Sequence, residues 1–155
     1  MSILNYIKEA EDVLNNYRKL KSSINNLKRR KQVILDKGKP RELGAIDYSK
    51  PVVSNNGYTD DTINQICEIT QINSQIKETE AEINVIAKIL KQIKKEDDVL
   101  AKFLILRHIE RKDLRTISKD LGYSEESNHT IYDIKNKAIR EFAIRYFGSQ
   151  AMRYT

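Results

Sequence analysis

In 155 residues the chain has no tryptophan, one cysteine, two prolines and five glycines. A single thiol, Cys67, excludes an intramolecular disulfide and any metal site built on cysteines, leaving a small half-buried side chain on a helix as its expected role. So little Pro and Gly favours long uninterrupted helices. No apolar run approaches the roughly 18 residues that span a bilayer, and the N-terminus lacks an apolar signal core. A soluble cytoplasmic protein without membrane contact is the expectation. Gly-rich phosphate loops, a nucleophilic serine context and paired buried carboxylates are also missing, so neither an enzyme nor a cofactor is expected. The two histidines, His108 and His129, each lack a second ligand at metal spacing.

What the chain does have is charge and aliphatic residues. At 32% charged and 39% hydrophobic, it is too charged for a large round core and too rich in Ile and Leu for disorder. The net charge of +6 is unevenly spread. Residues 1–40 carry ten Lys and Arg against four Asp and Glu, and residues 101–155 eleven against seven. Residues 41–100 carry seven against eleven. Basic ends around an acidic middle suit DNA contact at the ends.

Residues 2–36 read as one helix. Ile3, Ile7, Ala10, Leu14, Tyr17, Leu20, Ile24, Leu27 and Ile34 recur at threes and fours, with Ser2 as N-cap and Gly38-Lys39-Pro40 as stop. At ~1.5 Å per residue it would extend roughly 50 Å, more than a small core needs, so its apolar face must meet a partner helix. The Lys28-Arg29-Arg30-Lys31 cluster near its end is either a phosphate grip or a solvated face favoured by the helix dipole.

Periodicity breaks over residues 37–59, punctuated by Gly38, Pro40, Gly44, Pro51 and Gly57, with a turn at Asn55-Asn56-Gly57 and a short extended piece at Pro51-Val52-Val53. Thr59-Asp60-Asp61 then caps a second long helix reaching Lys95. It carries two strict seven-residue seams: Thr62, Ile69, Ile76, Ile83, Leu90, and Gln65, Ile72, Thr79, Ile86, Ile93. That repeat implies left-handed coiled-coil packing, and Ile at both seams favours more than two helices. An antiparallel pair with residues 2–36, dimerised into four helices, meets that preference; the alternative is a simple antiparallel hairpin in a monomer.

Glu96-Asp97-Asp98 starts a further helix, with Val99, Leu100, Phe103, Leu104 and Leu106 as its apolar face. From Leu114 a short amphipathic run reaches Leu121-Gly122, and a longer one restarts between Ser124 and Asn128. Two helices joined by a tight Gly turn are the signature of a helix-turn-helix. In the second helix Ile131, Ile134, Ala138 and Phe142 share one face, to pack with Leu114, Ile117 and Leu121. His129, Asp133, Asn136 and Arg140 share the opposite one. Asn can pair with adenine, Arg with guanine, and Asp can accept from cytosine. Asn128, His129, Tyr132 and Asp133, at the N-terminal end, are the expected base readers, with Ser124 beside them. Lys137 and Arg140 suit phosphates or flanking bases, and Arg115 and Lys119 suit the backbone from the first helix.

Phe103-Leu104-Ile105-Leu106-Arg107, followed by Leu114, Ile117-Ser118 and Leu121-Gly122, resembles region 4 of the sigma-70 class of bacterial sigma factors. The run from His129 to Arg140 resembles its recognition helix. That resemblance covers about 45 residues and implies that Asn128, His129, Tyr132 and Asp133 meet promoter −35 bases. The turn from Tyr123 to Asn128 is longer than the sigma pattern, and the base-contact residues differ, so the target differs too. The whole layout is similar to the ArpU/RinA-type phage late-gene regulators, whose linker matches Asp47-Tyr48-Ser49-Lys50-Pro51. Membership implies a phage or prophage activator acting with host RNA polymerase on double-stranded DNA in the bacterial cytoplasm.

The expectation is therefore an all-α chain. A long antiparallel helical hairpin (residues 1–95, coiled coil) precedes a small sigma region 4-like helix-turn-helix domain (residues 96–147) and a tail (residues 148–155). Its expected function is sequence-specific transcription regulation by a homo-oligomer, with a dimer favoured. A small terminase subunit for DNA packaging, or a coiled-coil adaptor that binds protein, would fit the same layout.

Overall fold

The computed structural model describes residues 3–37, 60–124 and 128–154. The expected features at Ser2, Gly38-Lys39-Pro40, Pro51-Val52-Val53, Asn55-Asn56-Gly57 and Thr59 lie outside those residues, as does most of the 37–59 connection. The described chain is all-α and without a strand. Its helices are α1 (Ile3–Lys37), α2 (Asp60–Glu96), α3 (Asp98–Leu104), α4 (Leu114–Asp120), α5 (Asn128–Phe147) and α6 (Ser149–Tyr154). None is long and apolar enough to cross a membrane.

The chain divides into two compact units, Met1–Lys21 with Ala81–Thr155, and Ser22–Glu80. In the Ser22–Glu80 unit, Ile72 and Ile76 are buried, and Thr62, Gln65, Ile69 and Thr79 are half-buried. Every seam position of α2 in this unit thus points inward, as a seven-residue repeat requires. Ile24, Leu27 and Ile34 of α1 are half-buried. Gln65 Nε2 donates to the Ile34 carbonyl at 2.6 Å, and Lys28 Nζ lies 3.9 Å from Glu80. Rising numbers on α1 meet falling numbers on α2. Cys67, expected to be half-buried, is exposed, because two residues past Gln65 it sits across the helix from both seams.

In the larger unit Ile83, Ile86, Ile89, Leu90 and Ile93 of α2 and Tyr6, Ala10, Leu14 and Tyr17 of α1 are buried. The main interhelical contact sets α3 against α5, where Phe103, Leu104, Ala138, Phe142 and Ala143 have no exposed surface. Each such large side chain contributes about 1.5–3 kcal/mol through burial. The apolar faces expected of α3 and α5 are those that turn inward, broadened by Ala101, Ile139 and Ala143. Tyr6 reaches across from α1, its ring 5.5 Å from that of Phe147 and its hydroxyl donating to Gln150 Oε1 at 2.9 Å.

Local chemistry sets the helix ends. Asp97 separates α2 from α3 and caps the latter, accepting from the Val99 amide at 3.1 Å. Asp113 does the same for α4, accepting from the Thr116 amide at 2.8 Å. Beyond Leu104 the backbone widens into a π-turn, Ile105–Ile109, closed by the Glu110 amide on the Ile105 carbonyl at 2.9 Å. Arg111 then takes a left-handed conformation at φ 55°, uncommon for a side chain of its size. Its guanidinium reaches the Asn15 carbonyl at 3.3 Å, and Arg107 holds the Lys112 carbonyl at 3.3 Å.

α4 ends at Gly122, whose φ of +84° only glycine adopts without cost. Its amide bonds the Lys119 carbonyl at 3.0 Å, and the next amide, Tyr123, bonds Ser118 at 2.9 Å. This pair of bonds is a Schellman C-cap. Gly148, at φ +78°, stops α5. The residues read as a tail continue as α6, with Ala151 fully buried.

Candidate nucleic-acid interface

Packing α5 by Ile131, Ala138, Ile139 and Phe142 forces its other side outward, since residues three and four apart share a face. His129, Tyr132, Asp133, Asn136, Lys137 and Arg140 are all exposed. Asp133, Asn136, Lys137 and Arg140 line one shallow depression of about 250 Å³. Four of the residues read from sequence as DNA-facing thus come together. Tyr132 is 51% exposed, large for an aromatic ring, with Lys135 Nζ 6.0 Å from its centroid.

The remaining residues are more dispersed. Arg115 and Lys119 are exposed on α4, and Ser124 is exposed just past the Schellman turn. Asn128 opens α5, but its side chain lies outside the described residues, as do residues 125–127 of the turn. The C-terminal part of the α5 face has an acidic border: Lys137 and Arg140 also line a neighbouring cavity with Glu96, Asp97 and Glu141. Arg145 on the same helix pairs with Glu96 and lies 3.4 Å from Glu141.

One cationic group was missed in the sequence. Arg107, Arg111, Lys112 and Lys135 line a groove of about 400 Å³ with Glu11, Asn15 and His108. Three of these cations fall within residues 107–112, so the signal was present, but no periodicity marked it because the π-turn breaks the helical register. Lys112 Nζ lies 2.9 Å from Asp120 and 3.6 Å from Glu110. The hydrogen bond to Asp120 is the main reason its pKa is raised. The Asp113 carboxyl is held below its ordinary value by its hydrogen bonds to Thr116.

At the bottom of this groove His108 is 7% exposed. Burial first, then the charges of Arg107 and Lys135, push its pKa down to about 4, so the ring is neutral near pH 7. Among the described residues no group of three His, Cys, Asp or Glu side chains is arranged to hold a metal ion. Comparison with protein-family models, curated proteins and solved structures returns no match to the chain.

Proposed function

We propose that the chain is a sequence-specific DNA-binding transcription regulator of the phage or prophage late-gene activator type. It works as a dimer on double-stranded DNA beside host RNA polymerase. In this reading α4, the Gly122 turn and α5 form a helix-turn-helix like sigma region 4. α1 and α2 form an antiparallel coiled-coil hairpin that pairs protomers.

The observation that carries the reading is the outward face of α5. A helix packed inward by Ile131, Ala138, Ile139 and Phe142 offers five exposed polar or charged residues at helical spacing, and Tyr132 beside them. Asn136 and Asp133 have the hydrogen-bonding groups that distinguish base edges in the major groove. The acidic border at Glu96, Asp97 and Glu141 repels phosphate, which favours DNA contact through the N-terminal half of α5. Recognition helices commonly read bases with that half. The groove of Arg107, Arg111, Lys112 and Lys135 adds positive charge on the flank of the same helix.

In vitro selection of duplex DNA from a random pool at about 150 mM salt tests this, because non-specific phosphate binding is weak there. Recovery of a defined motif, with two half-sites at fixed spacing, is the expected result. Recovery of unselected DNA would overturn sequence reading and favour packaging or protein-adaptor roles.

A further inference from the structure

We infer that the Ser22–Glu80 unit is a self-association surface, on which the α1–α2 pair of one copy packs against the α1–α2 pair of a second. The inference rests on the dimer reading above and names where the dimer forms.

Within this unit the two seams of α2 are turned inward, yet Ile63 and Ile66 beside them are 46% and 48% exposed. On α1 Val33 is 52% and Leu35 38% exposed. Ile66 is one residue past the seam position Gln65, and Ile63 lies three residues before it on the same flank. A helix that serves one partner needs only its two seam positions, whereas a helix in a bundle of three or more needs a flank position as well. From Ala81 onward α2 follows the broader pattern, since Ile89 beside the seam is 6% exposed. Ile63 and Ile66 widen the apolar face on the flank opposite to that of Ile89, and there they remain in solvent.

Charge identifies the occupant. Residues 22–37 carry five basic residues and one acidic, and residues 60–80 carry five acidic and one basic. An acidic or a basic foreign partner would match only one of these helices and repel the other. A second copy related by a two-fold axis sets the basic α1 segment of each chain against the acidic α2 segment of its partner, satisfying both at once. Ile69 and Ile76 in one seam and Ile72 in the other prefer a bundle of more than two helices, and two paired copies supply four.

Sedimentation equilibrium and circular dichroism on the full chain test the surface. Wild type is expected to be a dimer. Ile63→Glu with Ile66→Glu should raise the dimer dissociation constant at least about 100-fold with unchanged helix content, since both side chains are already exposed. Arg29→Glu with Arg30→Glu should weaken the dimer too, and adding Glu68→Lys with Glu78→Lys should restore it. A monomeric wild type, a ring of eight or more copies, a dimer indifferent to the isoleucine substitutions, or no restoration by the charge swap would each overturn the proposal. The DNA reading fails separately. If it is wrong, neither form binds a selected duplex, yet the dimer and its sensitivity persist. If it is right, the isoleucine variant still binds a single half-site.

Discussion

His108 Nδ1 lies 2.8 Å from Asn15 Oδ1, joining the π-turn to α1 across 93 positions of sequence. An amide oxygen only accepts, so the neutral ring carries its proton on Nδ1 and donates it. The bond gives a buried polar ring a partner, without which its burial would oppose folding.

The first prediction concerns pH. His108 has a native pKa of about 4 against an ordinary 6.5. Between those values the unfolded chain binds a proton that the native chain does not, so stability rises with pH. It is complete above about 6.5, falls as pH drops towards 4, and levels off below. The total is of the order of 3 kcal/mol. Carboxylates also titrate in this range, so the informative quantity is the difference between wild type and His108→Gln. Urea denaturation at pH 7.5 and 4.5 should show a smaller pH loss in the variant. Equal losses would show that His108 does not carry the effect.

The second concerns the turn into α5. A Cβ at Gly122 would meet no atom within 4 Å, so Gly122→Ala tests backbone conformation alone. A left-handed alanine costs about 1–2 kcal/mol, and Gly122→Asn should cost less. The drop in thermal midpoint from Ala compared with Asn measures it. If the two cost the same, the positive φ is not what the site demands.

How much of this was legible beforehand depended on repetition. The two seams of α2 recur five times each, so no single residue had to be interpreted, and the buried faces of α3 and α5 followed from the same periodicity. The outward set on α5 was legible for the same reason, as the complement of an apolar face. The π-turn was not. Ile105-Leu106-Arg107-His108-Ile109 has no composition that distinguishes it from an ordinary helix, and its widened register is what buries His108 and gathers the Arg107–Lys112 cations. Ala151 was equally hidden, since one small residue among the exposed Ser149, Gln150, Met152 and Arg153 sets up no periodicity that marks it as buried.

The third prediction is on the core between α3 and α5. Phe103 and Phe142 are fully buried. Truncating either to Ala should cost about 3–5 kcal/mol, transfer and cavity together. Denaturant titration followed by tyrosine fluorescence reads the loss. A cost below about 1 kcal/mol would mean that these rings are not packed as described.

The fourth concerns the candidate reader Tyr132. Its ring is half exposed and contacts Lys135 only at 6.0 Å, so Tyr132→Ala should leave the thermal midpoint nearly unchanged. On a selected duplex it should cost about 1–3 kcal/mol, the price of one lost base contact, and almost nothing on random DNA. Lys137→Ala should behave differently, weakening both duplexes and reducing the salt slope by about one unit. Measuring both variants on both duplexes across a salt series separates reading from holding. If Tyr132→Ala lowers affinity equally for selected and random DNA, it is not a reader, and the sequence-reading role moves to the polar residues Asp133 and Asn136 on the same face.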